Sequence, residues 1–123
     1  MPVQLNHTII PSIDKKEAAT FLTDLLGLDP PIPLARFCTV ETSNGVSLDY
    51  DNRDDFVPGH YAFLVSEEDF DEIFERVTTR GITYWADPMH EREGTIYTHS
   101  GRGFYFADPS GHNMEVLTKP YTG

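Results

Sequence analysis

A chain of 123 residues with 39% hydrophobic residues, eight Phe and six Tyr has room for one compact domain, or for two small modules sharing a core. Its twenty acids and nine scattered bases give a formal charge of −11, which excludes nucleic acid and anionic membrane surfaces as partners and leaves divalent cations and small molecules open. No run approaches the roughly 20 apolar residues that cross a bilayer, and the opening MPVQLN lacks the segments of a secretory signal, so a cytoplasmic protein is expected.

Taken in chain order, LNHTIIP from Leu5 alternates and predicts a strand. Ser12 is placed to cap a helix whose Ala18, Phe21, Leu22, Leu25 and Leu26 fall at helical spacing, with Gly27 as its stop. LDPPIP, 28–33, is too rich in proline for a confident strand. ARFCTVET and VSLDYD predict strands joined at the Ser43-Asn44-Gly45 turn. The single Cys38 has no thiol partner and reads as a buried small hydrophobe. Fifty-three residues after His7, His60 opens a second round. HYAFLV predicts a strand, Ser66 with Asp69 a capping box, Phe70, Ile73, Phe74 and Val77 a helical stripe, and Gly81 its end. ITYWA, GTIYTH, GFYFA and NMEVLT predict further strands, the last two joined by the turn Asp108-Pro109-Ser110-Gly111. The halves form a loose duplication, two modules of approximately 1–53 and 57–120 within one domain, whose site would lie where they meet.

Strand parity puts His7 on a face with Leu5 and Ile9, His60 with Ala62 and Leu64, and Glu115 with Asn113 and Leu117. Alone, Glu115 reads as a solvent-facing strand acid and each histidine as a packed or edge residue. Their repeat-related placement points instead to two histidines and one carboxylate, a set that holds a divalent ion and leaves coordination positions open. No Gly-rich phosphate loop, paired-cysteine motif or Gly-x-Ser-x-Gly elbow accompanies them.

LNHTII, GHYAFLV and above all FYFADPSGHNMEVLT resemble the vicinal oxygen chelate superfamily, which includes glyoxalase I, extradiol dioxygenases, fosfomycin-modifying enzymes and bleomycin-binding proteins. The resemblance runs over essentially the whole chain. It implies an α+β fold of paired βαβββ modules forming a curved mixed sheet around a central metal site, with His7, His60 and Glu115 as the metal residues. VSLDYD mirrors NMEVLT, each acid standing four residues beyond its glycine, Asp49 after Gly45 and Glu115 after Gly111. Asp49 is therefore a fourth ligand, the holder of a metal-bound water or substrate hydroxyl, or a solvated acid of the Asp49 to Asp55 run. Tyr105, ten residues before Glu115, matches a tyrosine that reaches the substrate in fosfomycin-modifying relatives. It is the expected proton donor or orienting hydroxyl, with packing against the sheet as its alternative.

Tyr97, His99 and Arg102 belong near the same edge with no orientation fixed. His90 and His112 read as turn or loop residues, and Trp85, Phe37, Phe63, Phe104 and Phe106 as core. The resemblance implies a metal-dependent oxygenase or oxidase acting on an aromatic or vicinally oxygenated small molecule such as a polyketide. Fe(II) is the expected ion, with Mn(II), Ni(II) or Zn(II) as alternatives, and a homodimer the expected assembly. A glyoxalase-type lyase or isomerase using Asp49 as fourth ligand is one alternative, and a metal-independent antibiotic-binding resistance protein is another. Fosfomycin chemistry is disfavoured, because the segment before Tyr105 offers a phosphonate only Arg92 and Arg102.

Overall fold

The computed structural model describes residues 1–120. They fall into two compact units, one spanning Met1–Val57 and the other opening at Pro58. Each unit carries its own open mixed sheet and one helix, so the chain is α+β.

The first unit runs β1 (His7–Ser12), α1 (Lys15–Leu26), β2 (Ile32–Leu34), β3 (Phe37–Glu41) and β4 (Ser47–Asn52). Its sheet has the order β1-β4-β3-β2, with β1 parallel to β4 and the other pairs antiparallel. Of the proline-rich segment only Ile32 and Pro33 enter a strand, β2, and they do so at an edge, where a proline without an N–H leaves no interior ladder bond unmade. Ser12 is not the helix cap. It ends β1, fully buried, and its hydroxyl donates to the Asp51 carbonyl at 3.0 Å. Asp14 caps α1 instead, accepting from the backbone N–H groups of Lys16 and Glu17, and as an anion it also suits the positive end of the helix. Gly27 ends the helix at φ 74°, a left-handed conformation that costs glycine little. α1 lies against β1, β3 and β4. Ala18, Ala19, Leu22 and Leu25 are buried there with Ile10, Val40, Leu48 and Tyr50. Alternation along the strands then sends His7, Ile9, Thr39 and Asp49 to the opposite face.

The second unit runs β5 (His60–Leu64), α2 (Glu67–Thr79), β6 (Gly103–Ala107) and β7 (Asn113–Leu117), in the sheet order β5-β7-β6 with β5 parallel to β7. Ser66 caps α2 by accepting from the Asp69 N–H at 3.1 Å. The helix buries Phe70, Ile73 and Val77, and the rings of Phe70 and Phe74 pack on Phe104. The two strands expected at ITYWA and GTIYTH are reduced to isolated bridges, Trp85 to Glu93 and Tyr105, and Tyr97 to Gly103. Turn chemistry between them prevents extended pairing. The Asp87 carboxylate gathers the N–H groups of Glu91 and Arg92, and His90 and Gly94 take positive φ angles of 59° and 73°.

Candidate metal centre

In the second unit Ala62, Glu115 and Tyr105 stand abreast across β5, β7 and β6, and His60 faces Asn113 one pleat away. Phe104 packs towards α2, so the alternate residues His60, Glu115 and Tyr105 share the other face. Glu115 is only 7% exposed, and a buried carboxylate needs partners. It has two, one at each oxygen: His60 Nε2 stands 3.1 Å from Oε1, and the Tyr97 hydroxyl donates to Oε2 at 2.8 Å. The Tyr105 ring lies 5.7 Å from that of His60 and 6.3 Å from that of Tyr97.

The first unit repeats the plan. Ile9, Asp49 and Thr39 stand abreast on β1, β4 and β3, and His7 faces Ser47. Asp49 is buried, unlike a solvated acid, and its Oδ1 accepts from the Thr39 hydroxyl at 2.9 Å. Thr39 is opposite Asp49 as Tyr105 is opposite Glu115, each ten residues ahead of its acid. Thr39 was overlooked by sequence reasoning, although that shared spacing would have found it. Gly45 and Gly111, at φ 81° and 88°, turn the chain into the two acid-bearing strands. His7 is exposed, with Nδ1 2.7 Å from the Asn6 side-chain oxygen. That oxygen only accepts, so it places the proton on Nδ1 and leaves the Nε2 lone pair available.

His60 and Glu115 are thus brought together, with Tyr97 and Tyr105 beside them, while His7 and Asp49 share a face of the first unit. Among the described residues no three His, Cys, Asp or Glu side chains are grouped so as to hold an ion. The donor set fits one chemically. Imidazole and carboxylate are both ligands of first-row divalent metals, and two ligand atoms each about 2.1 Å from one ion at right angles lie about 3 Å apart. The His60 to Glu115 separation of 3.1 Å matches that value. The remaining candidates are engaged elsewhere. Arg102 turns to α2, pairing with Glu67 at 2.8 Å and Asp71 at 2.9 Å above the Phe70 ring. His90 stacks on Trp85 at 3.8 Å, with Nε2 2.8 Å from the Asn113 side-chain oxygen. His112 is fully buried and accepts the Gly59 N–H at Nδ1, and the nearby Asp108 carboxyl is pushed above its usual range by burial.

The profile of the Glyoxalase/Bleomycin resistance protein/Dioxygenase superfamily matches residues 34–116. The solved structure of Oxidase ChaP-H2 is 57% identical and superposes with a TM-score of 0.94 over 98% of this chain and 97% of that one. Oxidase ChaP-H1 is 49% identical with a TM-score of 0.95, over 99% of this chain and 100% of that one. Glutathione transferase FosA of Serratia marcescens is 35% identical over 122 residues, 91% of this chain and 78% of its own.

Proposed function

The chain belongs to the glyoxalase/bleomycin resistance protein/dioxygenase superfamily, and on that premise we propose that it is a divalent-metal-dependent oxidase or oxygenase using Fe(II). Its substrate is an aromatic or vicinally oxygenated small molecule of the polyketide kind, and its ligands are His7, His60 and Glu115. The observation that carries the reaction class is the likeness to two oxidases over nearly the whole chain. The pairing of His60 with Glu115 supports the ligand assignment. A bound ion would supply Lewis acidity towards adjacent substrate oxygens and electron transfer to dioxygen. The protein's own share is to hold and orient. His60 releases its Nε2 proton to become a ligand, and Glu115 offers the oxygen that faces it. Tyr105 donates or orients a proton at its hydroxyl, and Asp49, steadied by Thr39, holds the proton of a substrate hydroxyl.

Metal content of anaerobically purified protein tests the proposal, comparing wild type with Glu115→Ala after loading with Fe(II), Mn(II), Ni(II) and Zn(II). Wild type is expected to take one ion per chain and the variant far less. Fe(II)-loaded wild type is expected to consume oxygen with aromatic substrates bearing adjacent oxygens. Metal binding without oxygen uptake transfers the assignment to the lyase alternative, and drug binding that survives both metal removal and His60→Ala transfers it to a binding protein. The 35% identity to a glutathione transferase favours one further reaction, thiol transfer, which glutathione consumption would reveal. The engagement of Arg102 by Glu67 and Asp71 weighs against that reaction on an anionic phosphonate.

A further inference from the structure

We propose that Tyr97 is a positioning residue for Glu115, and that position 103 is glycine because the Tyr97 ring must pass over it. This rests on the metal centre proposed above and deepens it. Tyr97 and Gly103 exchange both backbone hydrogen bonds, Tyr97 N–H to the Gly103 carbonyl at 2.9 Å and Gly103 N–H to the Tyr97 carbonyl at 3.1 Å. That two-bond bridge clamps Tyr97 to the start of β6 although no regular strand surrounds it. A Cβ at position 103 would collide with Cζ and the hydroxyl of Tyr97. Unlike the turn glycines, Gly103 has no positive φ, so space rather than backbone conformation demands it.

The ring that occupies that space ends at the carboxylate, the hydroxyl donating to Glu115 Oε2 at 2.8 Å. A phenol donating to a carboxylate makes a charge-assisted bond, stronger than one between neutral groups. It ties down one of the two oxygens and leaves Oε1 directed at His60. Glu115 is therefore held as a one-oxygen ligand before any ion arrives. Partners that orient a metal ligand in this way change metal affinity by about 10–100-fold when removed.

The test uses Co(II) as the probe ion, bound to the apoprotein of wild type and Tyr97→Phe. It reads affinity by competition with a chromogenic chelator and coordination by the visible Co(II) spectrum. Tyr97→Phe is expected to weaken Co(II) about 10–100-fold and to alter the spectrum, while the apoprotein stays folded with a thermal midpoint lowered by several degrees for the lost buried hydrogen bond. Gly103→Ala is expected to reproduce the loss by displacing the ring. In a Tyr97→Ala background, where no ring remains to be displaced, it should cost little further affinity. Wild-type affinity and spectrum in Tyr97→Phe would overturn the positioning role and leave the metal centre standing. A wild type that binds no Co(II) would overturn the metal centre and the positioning role together.

Discussion

Asp49 and Glu115 occupy equivalent register positions in their two sheets, yet different donors hold them: the Thr39 hydroxyl for the aspartate, His60 and Tyr97 for the glutamate. Asp is one methylene shorter, and its Oδ1 is already an acceptor within its own sheet. In the proposed reaction Asp49 takes the proton rather than the metal on the ground of its shorter side chain, since a single accepted hydrogen bond leaves its second oxygen open as it does for Glu115. Asp49→Asn preserves size and the acceptor for Thr39 but removes the basic charge. Its expected outcome is metal content equal to wild type with turnover reduced about 100-fold or more, the range of a lost acid/base group. Metal analysis beside oxygen uptake measures both, and a fall in metal content would make Asp49 the fourth ligand that a glyoxalase-type lyase requires.

At the scale of elements, the start of α1 separates two side chains that look interchangeable in sequence. Asp14→Ala removes the cap acceptor of Lys16 and Glu17 and should cost about 1 kcal/mol, while hydrogen exchange at those two amides accelerates. Ser12→Ala loses a buried bond to the Asp51 carbonyl at a comparable cost of about 1 kcal/mol, but should leave the exchange of those amides at wild-type rates. Periodicity could identify the helix and its stop at Gly27, but not that Ser12 turns inward, because that direction is set by the neighbouring strand β4, about forty residues away in sequence. Parity gave the side of its own strand that each of His60 and Glu115 takes, since β5 and β7 are regular, and the parallel register of the two strands is what makes those sides one face. The orientation of Tyr97 was not, because it depends on a two-bond bridge to Gly103 and on a ring crossing a position that sequence shows only as a glycine. ITYWA and GTIYTH have strand composition, and they fail as strands because the Asp87 turn and the positive φ angles of His90 and Gly94 bend the intervening chain.

Across the whole molecule the balance of charge sets a background for both stability and ion binding. Eleven excess negative charges repel one another in the folded chain. Opposing them among the described residues are ion pairs such as those of Arg102 with Glu67 and Asp71, and of Arg36 and Arg53 with Asp51. The Arg53 hydrogen bond holds the Asp51 carboxyl below its usual range. That contribution is present above the ordinary value of 3.8 and is lost as pH falls through the depressed folded value. Half-exposed pairs of this kind contribute little each, too little to offset long-range repulsion among so many acids. Added salt should therefore stabilise the metal-free protein. Raising NaCl from about 0.01 M to about 0.1 M shortens the screening length from about 30 Å to about 10 Å, which removes repulsion between distant acids before it weakens contacts at bonding distance. The thermal midpoint at pH 7 is expected to rise by a few degrees over that range, on the order of 1 kcal/mol for a chain of this size. A midpoint that falls with salt would mean that the ion pairs outweigh the repulsion, and that the acidic surface owes its stability to the few arginines anchored on it.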